Sequence, residues 1–141
     1  TGYIRKGKGQ TQKNQKALPP LKFRSDDGFD ILGGRNNIQN DKLTLKTAKA
    51  GDMWLHTQNI PGSHTIILCD GKDVPDNTIV QAATLAAYCS KARESTKVAV
   101  DYTRCKFVKK PNGAKPGMVI FTNNKTILVN PDEELYERLK V

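Results

Sequence analysis

The stretch DMWLHTQNIPGSHTIIL, residues 52–68, holds both histidines of the chain and its only tryptophan. The runs MWLHT and HTIILC flank Pro61-Gly62-Ser63 and read as two strands around a turn. Trp54 and His56 are two residues apart and would share one face of the first strand. A sheet built around this pair needs further strands on either side, and the sequence supplies them.

Upstream, KFRSDDGFDILGG reads as a hairpin: Phe23, a turn at Asp27-Gly28, then Phe29 to Leu32, closed by Gly33-Gly34. NNIQNDKLTLKTAKAG is ambiguous. Leu43 and Leu45 alternate as in a strand, but Asn40 as an N-cap, a run to Ala50 and a closing Gly51 predict a short helix. Downstream, TIVQAATLAAYCSKAR is the plainest helix. Thr78 and Gln81 fit a capping box, and Lys91 and Arg93 lie where the helix dipole is negative. Ala82, Ala83, Ala86 and Ala87 would let that helix approach a sheet closely. KVAVDYT, CKFVKK, GMVIFT and KTILVN follow as four strand-like runs, and Pro131 precedes a short terminal helix over residues 132–140. The expected class is α+β: a mostly antiparallel sheet with one main Ala-rich helix packed on it, plus shorter helices.

The 141 residues suit one domain. Residues 1–20 are rich in Lys, Gln and Gly and end in Leu18-Pro19-Pro20, so they read as a basic linker or arm before a domain over 21–141. The absence of an initial methionine suggests a piece of a longer protein. Apolar runs fall short of the ~18 residues of a membrane span, and Cys69, Cys89 and Cys105 form no Cys-x-x-Cys pair. Reduced thiols, a cytoplasmic location and no membrane partner are expected.

Net charge is +9, and its placement matters more than its size. Residues 1–16 carry Arg5, Lys6, Lys8, Lys13 and Lys16 with no acid, and residues 102–116 carry Arg104, Lys106, Lys109, Lys110 and Lys115 with no acid. Elsewhere the charges nearly cancel. Two basic clusters are the footprint of a polyanion partner; a solubilising tail and one solvated lysine loop would look the same.

His56 and His64 sit eight residues apart, with only isolated cysteines as further ligand candidates, so no metal site is expected. Ser63 does not form a Gly-x-Ser-x-Gly elbow. No nucleophile motif, paired carboxylates or phosphate-cradling glycine loop accompanies the histidines, so neither enzymatic activity, a cofactor nor a small-molecule substrate is expected. A strand-end histidine bonded to backbone competes with any functional role.

GGRNNIQND, residues 33–41, is more informative. Arg35 offers a planar fork, and Asn36, Asn37, Gln39 and Asn40 offer amides suited to base edges; capping amides in an ordinary polar turn would look alike. A helix starting at Asn40 would add free N–H groups at the same place. KKPNGAKPGMV, residues 109–119, is a Lys/Pro/Gly loop whose point charges suit phosphate contacts, or a solvated hairpin loop.

Together GGRNNIQND, DMWLHTQNIPGSH, TIVQAATLAAYCSKAR, VAVDYT and KKPNGAKPGMV resemble, in order, the NFACT-R domain of NFACT proteins, from about Lys22 to Pro131. The resemblance implies an RNA-binding module of ribosome-associated quality control, joined to a preceding coiled coil for which TGYIRK would be the exit. Such proteins bind large ribosomal subunits obstructed by peptidyl-tRNA and bring charged tRNA, mainly for alanine in bacteria. A tail is then added to the C-terminus of the stalled chain. The implied partners are tRNA or ribosomal RNA and, through the longer protein, the large subunit. Neutral His56 and His64 would then hydrogen-bond or stack on nucleotides, and Trp54 would be core or a stacking platform. The candidate contacts are Arg35, Asn36, Asn37, Gln39, Asn40, His56, His64, Lys106, Lys109, Lys110 and Lys115. Many family members carry a fibronectin-binding label, which makes an adhesion module the alternative.

Overall fold

A computed structural model describes residues 18–141; the expected arm lies, up to residue 17, outside the described residues. Six strands form one sheet: β1 (Leu21–Arg24), β2 (Asp30–Gly33), β3 (Met53–Thr57), β4 (Thr65–Ile67), β5 (Val98–Arg104) and, last in chain order, β8 (Lys125–Val129). Their spatial order is β1-β2-β4-β3-β5-β8, and every neighbouring pair is antiparallel. Two short strands, β6 (Val108–Lys109) and β7 (Ile120–Phe121), pair separately. The three α-helices are α1 (Asn37–Lys42), α2 (Asp76–Tyr88) and α3 (Glu133–Leu139). This is the expected α+β class with a mostly antiparallel sheet.

The two-residue period of the strands sorts side chains into two cores. Met53 and Leu55 of β3, Ile67 of β4 and Val100 of β5 face α2, where Ala82, Ala83, Leu85, Ala86 and Ala87 are buried. Small side chains let the helix backbone sit close to the sheet. α3 adds Leu139 to the same core. On the opposite face Trp54 and Ile66 meet Leu43, Cys105 and Val108, with Phe121 packed against them. Most of β3 is therefore covered on both sides.

Two expected helix boundaries move, each for an identifiable reason. α2 begins at Asp76, with Pro75 in the cap position, and ends at Tyr88. Thr78 and Gln81 form no capping box; both are buried. The Thr78 hydroxyl bonds Asp27 at 2.8 Å, and Gln81 donates to the Asp26 carboxylate at 2.7 Å while accepting from the Asp26 N–H at 3.0 Å. They anchor the β1–β2 turn to the helix. Arg93, past the helix end, donates to the Tyr88 carbonyl at 2.7 Å, so its expected service to that terminus is kept.

The helix expected from Asn40 starts instead at Asn37. Asn36 is the cap, its side-chain oxygen accepting from Gln39 N–H at 2.8 Å. After Lys42 the helix widens into a π-turn over Leu43–Thr47, closed by Ala48 N–H on the Leu43 carbonyl at 2.8 Å. The turn buries Leu43 and Thr44 and leaves Leu45 outside.

Asp52, buried ahead of β3, accepts three backbone N–H bonds, from Lys49 (2.9 Å), Cys69 (3.0 Å) and Asp70 (2.8 Å). It ties the segment before β3 to the one after β4. Asp52→Ala would leave those donors without their acceptor. At about 1–3 kcal/mol for each orphaned group that stays dry, we expect urea unfolding to show a loss near 3 kcal/mol. A loss under about 1 kcal/mol would mean that water replaces the carboxylate.

Candidate nucleic-acid interface

The two loops singled out in the sequence are strapped together. Ser63 Oγ donates to the Gly34 carbonyl at 2.7 Å, and Gly34 N–H donates to the His64 carbonyl at 3.1 Å. Asn40 completes the strap: its oxygen accepts from His64 N–H at 3.0 Å and its nitrogen donates to the Gly62 carbonyl at 3.3 Å. A Cβ on Gly34 would fall 2.0 Å from the Asn40 side chain, so only glycine fits there. With the end of α2 these loops enclose a cleft of about 350 Å³, lined by Arg35, Asn36, Asn37, Pro61, Gly62 and Lys91 among others.

The amides divide by role. Arg35, Asn36 and Asn37 are exposed. Gln39 is half-buried, accepting from Arg35 N–H at 2.7 Å and donating to the Leu18 carbonyl at 2.9 Å. Asn40 is buried with both ends of its amide engaged, so the structure assigns it to the scaffold and not to the contact surface. Arg35 Nε donates to the Pro19 carbonyl at 2.6 Å. That bond fixes its stem and leaves the terminal nitrogens of the fork for a partner.

The histidines also separate. His64 is 1% exposed. Its Nδ1 lies 2.7 Å from Thr44 Oγ1 and its Nε2 3.1 Å from the Gly117 carbonyl. A carbonyl only accepts, so Nε2 carries the proton and Nδ1 accepts from the threonine. Burial, then the neighbouring His56, push its pKa down to about 4. The expectation that His64 touches nucleotides is thus corrected: it is a neutral strut under the surface. His56 is half-buried, its ring stacked on Trp54 at 5.9 Å and 10° between planes. Burial lowers its pKa as well, with the carbonyls of Thr57 and Gly62 and the charge of Asp101 opposing. Trp54 is core, packed between His56, His64 and Phe121.

The lysine loop joins the same face through one acid. Asp41 accepts from Gly117 N–H at 3.0 Å and pairs with Lys110 Nζ at 3.2 Å. Lys110 also donates to the Lys115 carbonyl at 2.6 Å, so it braces the loop from inside, a correction to its reading as a contact. Lys106, Lys109 and Lys115 remain exposed. Asp41 went unremarked in the sequence, though it is the only acid between Gly33 and Gly51. Exposed Lys42 and Lys46, on the helical layer beside it, were also missed.

A charge partition results. The layer made of residues 33–51 and 102–125 carries Arg35, Lys42, Lys46, Lys106, Lys109 and Lys115 on its exterior, while its one acid is spent internally. The opposite layer is mixed, with Asp76, Glu133, Glu134 and Glu137 beside exposed Arg93, Arg138 and Lys140. Among the described residues no His/Cys/Asp/Glu group has the geometry to hold a metal. Burial raises the thiol of Cys69, that of Cys89 to about 11 and that of Cys105 to about 12, so none is a ready nucleophile. No helix among the described residues is long and apolar enough to cross a membrane.

His64 gives this scaffold a pH signature. Unfolded, the ring takes up a proton near its ordinary pKa; folded, it does so only near 4. Between those values the unfolded chain binds more protons, so stability rises with pH through the window. We expect full stability above about pH 6.5 and a loss approaching 3 kcal/mol as pH falls toward 4. His64→Gln should be less stable at neutral pH and lack this slope between pH 6.5 and 5. An NMR titration placing His64 near 6.5 would contradict the buried strut.

The chain has clear relatives. Residues 20–123 match the family described as the NFACT protein RNA binding domain. The chain is 46% identical over 140 residues to the Rqc2 homolog RqcH of Bacillus subtilis (strain 168), covering 98% of this chain and 24% of that protein. It is 43% identical over 142 residues to the Rqc2 homolog RqcH of Streptococcus suis (strain 05ZYH33), covering 100% and 25%. It thus spans about a quarter of the length of these curated relatives. Among solved structures, the C-terminal part of the fibronectin/fibrinogen-binding protein from Streptococcus suis superposes with a TM-score of 0.84 at 44% identity, over 88% of this chain and 50% of that one. Fold, basic layer and a match running from Pro20 to Asn123 agree, and the chain belongs to the family of NFACT RNA-binding domains.

Proposed function

We propose that this chain is the RNA-binding module of a ribosome quality control factor. In this reading the longer protein engages obstructed large ribosomal subunits and recruits tRNA for C-terminal alanine tailing of stalled chains. The module contacts tRNA or ribosomal RNA, catalyses nothing itself, needs no metal or cofactor, and works in the cytoplasm. The observation that carries the reading is the charge partition. One layer gathers its lysines on the outside and neutralises its only acid inside, which is what a phosphate backbone requires. The relatives named RqcH support the setting.

The contacts divide between charge and direction. Lys106, Lys109 and Lys115 supply point charges; Arg35, Asn36 and Asn37 supply oriented donors and acceptors at the cleft. If about five phosphates are neutralised, log affinity against log salt should fall with a slope of about −3.5 to −4.5. Lys106→Glu with Lys109→Glu and Lys115→Glu should flatten that slope and leave the unfolding midpoint in place. Affinity indifferent to salt would sink the electrostatic account.

Arg35→Ala with Asn37→Ala should change stability by no more than about half a kcal/mol, as exposed positions usually do. It should nevertheless impair tail synthesis by the longer protein in a reconstituted stalled-subunit assay. Unfolding of this variant would mean that both side chains serve the scaffold.

An adhesion module is the second reading, favoured by the likeness to the fibronectin/fibrinogen-binding protein of Streptococcus suis. Saturable fibronectin binding at physiological salt, uncompeted by RNA and unaccompanied by RNA binding, would decide for it.

A further inference from the structure

The layer over Trp54 stops short of the far edge of the sheet. Antiparallel register sets His56 of β3, Asp101 of β5 and Thr126 of β8 in one row on the same face as Trp54. One step along, Leu128 of β8 lies opposite Ala99 on that face and is 63% exposed. His56 is half-buried beside the His64 ring, 5.3 Å between centroids, while Thr126 and Leu128 beyond it are exposed.

Asp101 is itself 5% exposed, because three polar side chains close over it. One oxygen accepts from Thr126 Oγ1 at 2.6 Å, Asn124 Nδ2 at 3.2 Å and Gln58 Nε2 at 3.3 Å. A carboxylate only accepts, so it draws the amide nitrogens of Gln58 and Asn124 inward. Their carbonyl oxygens are turned away from it and have no partner among the described residues. Gln58 and Asn124 are exposed; without Asp101 they would be free rotors. Held in this way, they present fixed acceptors, each beside a second N–H, at the rim of a shelf made by His56 and Leu128.

We propose that this end of the sheet is a platform for an unpaired RNA base, read by Gln58 and Asn124 and positioned by Asp101. The inference rests on the RNA reading above and adds a site outside the cleft. An imidazole already stacked on an indole offers a flat surface to a base, and amide pairs match base edges. The Lys-rich loop belongs to the layer on this same face, so a strand held there by its phosphates is led toward the platform. Apolar Leu128 next to amides suits the edge and face of a base better than a phosphate.

The test uses the 141-residue chain, equal-length homopolymers of A, U and C, and an RNA duplex of the same length, at one salt concentration. Wild type should favour single strands, and the best homopolymer should exceed the worst by about fivefold or more, the range of one good amide–base pairing. Trp54, the only tryptophan, lies under His56 and should report occupancy through its emission. Gln58→Ala with Asn124→Ala, both exposed, should level the homopolymers to within about twofold without changing the salt slope. Asp101→Asn, if it folds, should do the same. An unchanged base profile and Trp54 response in the Gln58/Asn124 variant overturns the platform. So does salt-dependent wild-type binding with neither base preference nor emission change, which leaves the RNA reading standing. Wild type that binds no RNA at all overturns both.

Discussion

Buried polar groups cost free energy unless they find partners, and on the basic side of this domain most find them in one another's loops, the Trp54 indole N–H being the exception among the described residues. His64 is central. Its N–H goes to Asn40 in α1, its Nδ1 to Thr44 in the π-turn, and its Nε2 to Gly117 in the lysine loop. Of the apolar side chains in these segments Leu43 is buried and Val119 partly so, while Ile38, Leu45 and Met118 are exposed. The imidazole, wedged edge-on against Trp54, fixes the π-turn and the lysine loop to the sheet, and the backbone N–H fixes α1. Without it, the Thr44 hydroxyl and the Gly117 carbonyl would stay dry and unpaired, at about 1–3 kcal/mol each.

Asp41 extends the same logic to charge. A surface meant for a polyanion gathers cations that repel one another, and flexible lysines on a Pro/Gly loop would splay apart. One half-buried carboxylate holds Lys110 and the Gly117 N–H, so one lysine fixes the loop while its neighbours stay free. Asp101 plays the matching part at the other end of the sheet, where its partners are amides and a hydroxyl. In both places one carboxylate holds its donors in a fixed arrangement.

The rigid frame beneath is conventional in its physics. The small side chains of α2 bring it close to β3, β4 and β5, and Thr78 and Gln81 fasten it to the β1–β2 turn. The opposite layer is thinner: a short helix, a π-turn and a two-stranded hairpin over Leu43, Trp54, Ile66 and Val108. That difference lets one face serve as core and the other as working surface.

Much of this was legible in the sequence. The short apolar runs in MWLHT and KTILVN, the Asp-Gly turn and the alanine-rich run sufficed for an α+β antiparallel fold, because run length and turn chemistry are local properties. The acid-free run from Tyr102 to Pro116 marked the basic layer for the same reason. Local information could not rank chemically identical residues. Asn37 and Asn40 are three positions apart in one helix, yet one is exposed and the other is locked beneath the 62–64 loop. His56 and His64 both follow strand-like patterns, yet only the second is closed over by Gly117, a residue 53 positions away. The capping-box pattern at Thr78 and Gln81 was real in composition but was spent on a turn more than 50 residues upstream. What covers a side chain depends on the spatial order β1-β2-β4-β3-β5-β8, in which β5 lies between β3 and β8 although long segments separate them in the chain. Residue type and period set which groups could bind RNA; long-range pairing decided which of them are left free to do so.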